Sequence, residues 1–155
     1  MTSPEKEQRE AIGNEIAALM GPLVRGLRMT LRTCAEELEL APSEANVLWV
    51  LAGVGELTTK DLARRLDIDP ANASTMLTRL ERRELVKREP APQDRRKRVI
   101  SLTEKGRATR LRLAQCVGER QPSFRALSTD ELAVFRDMLR RVSAEGGVPP
   151  RPPAT

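Results

Sequence analysis

The chain has 155 residues, 27 lysines and arginines against 22 acids, a net charge of +5 and a sequence pI near 9.9. This length suits one domain with a dimerisation extension, and the positive balance favours a polyanionic partner. The absence of histidine and tyrosine excludes imidazole metal ligation, a Ser-His-Asp relay and a phenolic proton donor, while 2% aromatic residues leave little to stack on single-stranded nucleic acid or RNA. An apolar run of about 18 residues and a charged-then-apolar leader are both missing, so the reading is a soluble cytoplasmic protein with no membrane partner, no cofactor and no metal.

Ser3-Pro4-Glu5 has the form of a helix start, with a cap, a first-turn proline and an acid at the positive end of the dipole. Ile12, Ile16, Leu19, Leu23, Leu27, Leu31, Cys34 and Leu38 follow at intervals of three and four. So long a stripe exceeds what one small domain needs, and its heptad-like seam predicts a second chain. Gly21-Pro22 predicts a kink or two consecutive helices, because Pro22 has no amide to donate. From Ser43 to Ala52 a short buried helix is expected with Val47, Leu48 and Leu51 inward, ended by Gly53-Val54-Gly55. Trp49 lies on it, as a core or junction residue or as the wall of a ligand pocket.

Thr58 with Asp61 has the form of a capping box, opening a helix whose apolar positions are Leu62, Ala63 and Leu66. Asp69 and Pro70 then open a second helix running to about Arg83, with Ala73, Met76, Leu77 and Leu80 inward. Asn72, Ser74, Thr75 and Arg79 face outward, residue types that an ordinary solvated face also carries but that suit base edges and phosphates. The hairpin decides between these readings. Leu85, Val86 and Lys87 lead into a strand, Glu89 to Gln93 form an exposed turn, Asp94 to Arg98 make a basic tip, and Val99, Ile100 and Leu102 return. Between Arg79 and Arg98 nine basic residues stand against four acids, so this window alone equals the charge of the whole chain. A basic tip beside a polar helix face suits phosphates and a minor groove.

Thr103 caps a helix running to about Arg120, with either Leu111, Ala114 and Val117 or Leu113 and Cys116 inward, and Pro122 marks its end. Ser128 and Glu131 form a second capping box, followed by Leu132, Phe135, Met138, Leu139 and Val142 on one face. The Pro- and Gly-rich stretch from 146 is expected to be disordered or extended. Cys34 and Cys116, far apart and without C-x-x-C, make no metal or redox motif by spacing and read as small buried side chains.

The segment from Leu57 to Gly106 thus reads as a winged helix-turn-helix. Through DLARRL, STMLTRLERRELV, and Asp94-Arg95-Arg96 followed by Leu102-Thr103-Glu104-Lys105-Gly106, it resembles the MarR (multiple antibiotic resistance regulator) family of bacterial transcription factors. Leu40 to Leu48 and Leu127 to Leu139 extend the resemblance to roughly residues 20 to 145. It implies a mainly α fold with a small β wing: an N-terminal dimerisation helix over 1–40, a DNA-binding lobe over 41–102, and C-terminal dimerisation helices over 103–145. Arg96 matches the minor-groove arginine and Asp94 the acid that orients it; Asn72, Ser74, Thr75 and Arg79 match the recognition surface. Two departures stand out. Glu84 occupies the place of a helix-ending glycine, and Ala41 that of a capping threonine, a role Ser43 is expected to take.

The expected function is a non-enzymatic homodimeric repressor that binds an inverted repeat in double-stranded DNA and is released by a small-molecule effector, near Trp49 if similar proteins are a guide. Lys60, Lys87, Arg95, Lys97 and Arg98 are expected on phosphates. The alternatives are a thiol switch using Cys34 or Cys116 and a protein that compacts DNA without regard to sequence.

Overall fold

A computed structural model describes residues 3–91 and 94–145, with side chains described over 4–91 and 97–143. The elements in chain order are α1 (Ser3–Glu37), α2 (Pro42–Val54), α3 (Thr59–Leu66), α4 (Pro70–Arg82), β1 (Val86–Ala91), β2 (Asp94–Leu102), α5 (Glu104–Arg120), α6 (Pro122–Arg125) and α7 (Thr129–Glu145). The fold is mainly helical with one antiparallel hairpin, as the sequence predicts. No described helix is long and apolar enough to cross a membrane.

The centre of the core is α2, which packs against α1, α3, α4, α5 and β2. Val47, Leu48 and Leu51 are buried on it as expected, and they meet Leu62 of α3, Leu77 and Leu80 of α4, Ile100 of β2 and Leu113 of α5 in one cluster. Burying each such leucine is worth about 1.5–3 kcal/mol. The stripes on α3 and α4 also lie as read, with Leu62, Ala63, Ala73, Leu77 and Leu80 buried and Leu66 and Met76 packed at the edge. Gly55 ends α2 at φ +88°, its amide donating to the Leu51 carbonyl at 2.8 Å.

Several expectations need correction. Of the two readings for Gly21-Pro22, two consecutive helices is overturned, since α1 runs unbroken from Ser3 to Glu37 with Pro22 inside it. Ala18 and Pro22 are both exposed, so the carbonyl that Pro22 leaves without a donor faces water. Ser43 does not cap α2. Ala41 holds the cap position without a side-chain acceptor, and Glu44 reaches back to accept its amide at 3.0 Å. The hairpin strands are longer than read, since Glu89 to Ala91 pair with β2 and the basic residues from Asp94 belong to the return strand. A register shift falls between Pro90 and Ala91, where proline has no ladder donor. Neither stripe proposed for α5 is right as a whole. Gly106, Arg110, Leu113 and Val117 are buried, while Leu111 is exposed and Cys116 is half-buried. Finally, Cys34 and Cys116 are not two separate small side chains but a disulfide, with Cα atoms 5.9 Å apart.

At the far end, Ser128 and Glu131 form the expected capping box: the Ser128 amide donates to the Glu131 carboxylate at 2.8 Å and the Glu131 amide to the Ser128 hydroxyl at 3.3 Å. The Ser128 amide foremost, and then the Ser128 hydroxyl donating to the same carboxylate at 2.8 Å, hold the Glu131 carboxyl below its ordinary pKa. The helix it opens leaves Val134, Met138, Leu139 and Val142 exposed, as the first half of α1 leaves Ile12, Ile16 and Leu19.

Helix α4, the hairpin and α5 meet at one junction. The Leu85 amide donates to the Leu80 carbonyl and the Glu84 amide to that of Glu81, both at 2.9 Å, which is a Schellman ending with Glu84 left-handed at φ +60°. Thr103 then donates its amide to the Leu85 carbonyl at 3.1 Å and its hydroxyl to the Glu84 carbonyl at 2.5 Å, while that hydroxyl oxygen accepts from the Gly106 amide at 2.9 Å. A Cβ on Gly106 would stand 1.9 Å from the Leu85 carbonyl oxygen, so the closing glycine of LTEKG is needed for contact rather than for backbone freedom.

Two substitutions test this junction by thermal or denaturant unfolding. Gly106→Ala is expected to destabilise by about 2 kcal/mol or more, since backbone has to give way; a loss within a few tenths would mean the helix and strand are not in contact. Glu84→Gly is expected to stabilise by up to about 1 kcal/mol through relief of the left-handed side chain, reduced by losing the exposed 3.2 Å pair with Lys105. Destabilisation instead would show that the pair outweighs the strain.

Candidate nucleic-acid interface

The turn between α3 and α4 is set by side chains at both ends. The Asp61 amide donates to the Thr58 hydroxyl at 3.2 Å at the start of α3, and Asp67 ends that helix in the left-handed region at φ +52°. Asp69 opens α4 by accepting the Ala71 amide at 2.7 Å, with Pro70 at the first helical position. With Ala73, Leu77 and Leu80 buried, the rotation of α4 is fixed, and Asn72, Thr75 and Arg79 are turned to solvent. Ser74 is half-buried, and the Thr75 hydroxyl donates to the Ala71 carbonyl at 3.0 Å, leaving its lone pairs outward.

Arg88 fastens the wing to this helix. Its guanidinium donates to the Ser74 carbonyl at 3.3 Å, and its Nε lies 3.5 Å from the Glu81 carboxylate, buried and without a hydrogen bond of its own. Arg83 is likewise turned inward: it donates to the Glu39 carbonyl at 2.6 Å and approaches the buried Glu44 carboxylate at 3.6 Å. The basic window therefore divides into two kinds of residue. Arg83 and Arg88 hold the lobe together, whereas Arg79, Lys97 and Arg98 are exposed. Lys87 is exposed but paired with Glu89 at 2.7 Å, and Lys60 is exposed in the first turn of α3. The side chains of Asp94, Arg95 and Arg96 lie outside the described residues; their backbone forms the start of β2.

On the other side of α2, Trp49 is 39% exposed and walls a cavity of about 420 Å³ together with Leu27 and Leu31 of α1, Leu66 of α3, Ala114 of α5 and Phe124 of α6. The lining is mostly aliphatic and aromatic, as small-ligand sites are. The guanidinium of Arg110 sits 4.7 Å from the centroid of the Trp49 ring, buried, with an Nε that has no hydrogen-bond partner. Sequence reasoning missed Arg110, although its spacing from Gly106, Leu113 and Val117 marks the inward face of α5.

Residues 38–97 match the model of the MarR family. A putative transcriptional regulatory protein for the hcr operon of Thauera aromatica is 27% identical over 120 residues, 77% of this chain and 72% of that one. The crystal structure of wild-type MarR from E. coli in its apo form superposes with a TM-score of 0.66 at 26% identity, covering 81% of this chain and 94% of that one. A mutant of E. coli MarR complexed with operator DNA matches with a TM-score of 0.58 at 25% identity, over 83% of this chain and 93% of that one. The winged lobe is thus similar in sequence to the MarR family, and the chain with its flanking helices is similar in fold to the MarR protein of E. coli.

Proposed function

We propose that the protein is a homodimeric, sequence-specific double-stranded DNA-binding repressor whose release is driven by a small-molecule effector. The observation that carries the DNA reading is the outward face of α4, where Asn72, Thr75 and Arg79 stand exposed on a helix whose rotation is fixed by three buried residues. Asn72, Ser74 and Thr75 read base edges in the major groove, Arg96 enters the minor groove with Asp94 orienting it, and Lys60, Arg95, Lys97 and Arg98 lie along phosphates. Lys87 joins them once DNA phosphate competes with Glu89. The E. coli relative bound to operator DNA supports the same use of the fold.

The apolar faces of α1 and α7 favour a second copy. Ile12, Ile16 and Leu19 on one helix and Met138 and Val142 on the other are roughly half or more exposed, and pairing them across a two-fold axis removes that surface from water. Symmetry then sets the two recognition helices roughly 34 Å apart on an inverted repeat. The cavity beside Trp49 supports the effector: its walls come from α2 and α3 in the lobe and from α1, α5 and α6 outside it. A ligand preferring one lobe angle shifts the spacing of the two recognition helices by its differential affinity alone.

The direct test is fluorescence anisotropy with DNA from upstream of its own gene and a shuffled duplex of equal length, across a salt series. Preference for the native duplex by about 10³ or more is expected; equal binding with a steep salt slope would make sequence-independent compaction the better reading. Arg96→Ala should cost about 1–3 kcal/mol of operator affinity and leave the dimer intact by sedimentation. Unchanged affinity would take the wing out of the interface.

A further inference from the structure

The closure at Glu84 and Leu85 fixes the base of the hairpin, and two contacts hold it further out. On β2, Ile100 is buried and pairs with Leu57: the Ile100 amide donates to the Leu57 carbonyl at 2.8 Å and the Leu57 amide to that of Ile100 at 3.1 Å. On β1, opposite Ile100 in the register, stands Arg88. Strand alternation puts Arg88 on the same side as the buried Val86, while Lys87 and Glu89 face solvent. Its guanidinium links two turns of α4: a terminal nitrogen donates to the Ser74 carbonyl at 3.3 Å, and Nε lies 3.5 Å from the carboxylate of Glu81, on the same face of that helix. Past this point Glu89, Pro90, Lys97 and Arg98 are all exposed. Strand β1 continues to Ala91, roughly 10 Å beyond Arg88, so a small tilt at Arg88 becomes a displacement of ångströms at the wing tip.

We propose that Arg88, paired with Glu81, is a positioning residue for operator recognition: it sets the reach of the wing relative to α4 while its own charge is engaged inside the protein. The proposal rests on the DNA-binding reading above and adds to it a pair that works without touching DNA. The carbonyl that Arg88 takes belongs to Ser74, one of the residues proposed to read bases, so the guanidinium ties the wing to the turn of α4 that enters the groove. Base contacts from α4 and phosphate contacts from the wing then form together, because one tilt of the hairpin satisfies both. A fork is required for this. Lysine carries the same charge, but a single ammonium group on a flexible stem does not hold a carbonyl and a carboxylate at once in a fixed geometry. The pair also gives Glu81 an effect opposite to its charge. An acid beside DNA repels phosphate, so electrostatics alone makes its removal favourable to binding. As the anchor of Arg88, Glu81 strengthens operator binding instead.

The test measures binding of the full-length protein to the native upstream duplex and to the shuffled one, for the parent, Glu81→Gln, Arg88→Lys and the double variant, each folded by circular dichroism at the temperature used. Each single substitution should weaken binding to the native duplex by about fivefold or more, leave the shuffled duplex within about twofold, and fail to add in the double variant. Unchanged or tighter binding of the native duplex by Glu81→Gln would overturn the proposal. So would additive losses, or an equal loss on both duplexes, which marks a plain phosphate contact. Glu81 is exposed, so Glu81→Gln decides alone should Arg88→Lys not fold. A second measurement needs no DNA. With spin labels on Arg82→Cys and Lys97→Cys, the distances between α4 and the wing should be narrowly distributed, and broader once Glu81→Gln is added; an unchanged distribution would overturn the positioning. Should the parent show no preference for the native duplex, the operator reading fails, while the distances still decide Arg88.

Discussion

The contact on which the winged lobe depends is the closure of the Glu84-Leu85 backbone against the first turn of α5. Four backbone hydrogen-bonding groups from the end of α4 and the start of β1 are satisfied there within a few residues, two by the Schellman ending and two by Thr103. The Thr103 side chain serves both elements at once, capping α5 through the Gly106 amide while donating to the Glu84 carbonyl. Leu85 and Leu102, buried on either side of this closure, seal it with apolar surface. Helix α4, the hairpin and α5 consequently keep one relative orientation, and a side chain at Gly106 has no room because the backbones touch.

Charge in the lobe is divided by the same logic. A wing that merely carried arginines would be attracted to DNA but would not hold an angle to the recognition helix. Arg88, drawn to Glu81 and to the Ser74 carbonyl, supplies that angle, and its buried Nε shows that the site favours position over full hydrogen bonding. Arg83 does the corresponding work at the other end of α4, where the buried Glu44 carboxylate also reaches back to the Ala41 amide. One carboxylate thereby ties the start of α2 to the end of α4. Removing Arg83 would leave Glu44 buried without its counter-charge, the costly way to break such a pair. The neighbouring Arg79, Lys97 and Arg98 are exposed and have no ion pair among the described residues.

What was legible in the sequence is what short-range chemistry decides. Thr58, Asp69, Thr103 and Ser128 announced their helices because a cap and the amide it satisfies lie two or three residues apart. The left-handed backbone at Glu84 came instead from the resemblance, in which Glu84 stands in the place of a helix-ending glycine. Three further points turn on a distant partner. Whether α5 buries Leu111 or Leu113 depends on which side meets α2, and both stripes are present in the sequence. Cys34 and Cys116 could not be paired from their spacing, since only the approach of α1 to α5 brings them together. Arg83, counted in the basic window, is claimed by Glu44 and Glu39, which stand about 40 residues earlier in the chain. The wing tip at Asp94, Arg95 and Arg96 still rests on resemblance, because their side chains lie outside the described residues.

The lobe enters from α1 through α2 and leaves from β2 through α5, so in the proposed dimer the hinge between lobe and dimerisation surfaces lies where α1 and α5 meet. The cavity and the disulfide both fall there. The cavity beside Trp49 separates α1 from α2 and α5 at Leu27, Leu31 and Ala114, while the disulfide draws α1 and α5 together one turn further along, at Cys34 and Cys116. Under the proposed function, a ligand wedged into the cavity works on the angle between α1 and α5 without touching the residues proposed to face DNA. Coupling of this sort requires the parts on either side of the hinge to move as rigid bodies. The closure at Thr103 and the two inward arginines meet that requirement, because a lobe that deformed internally would absorb the displacement before it reached α4.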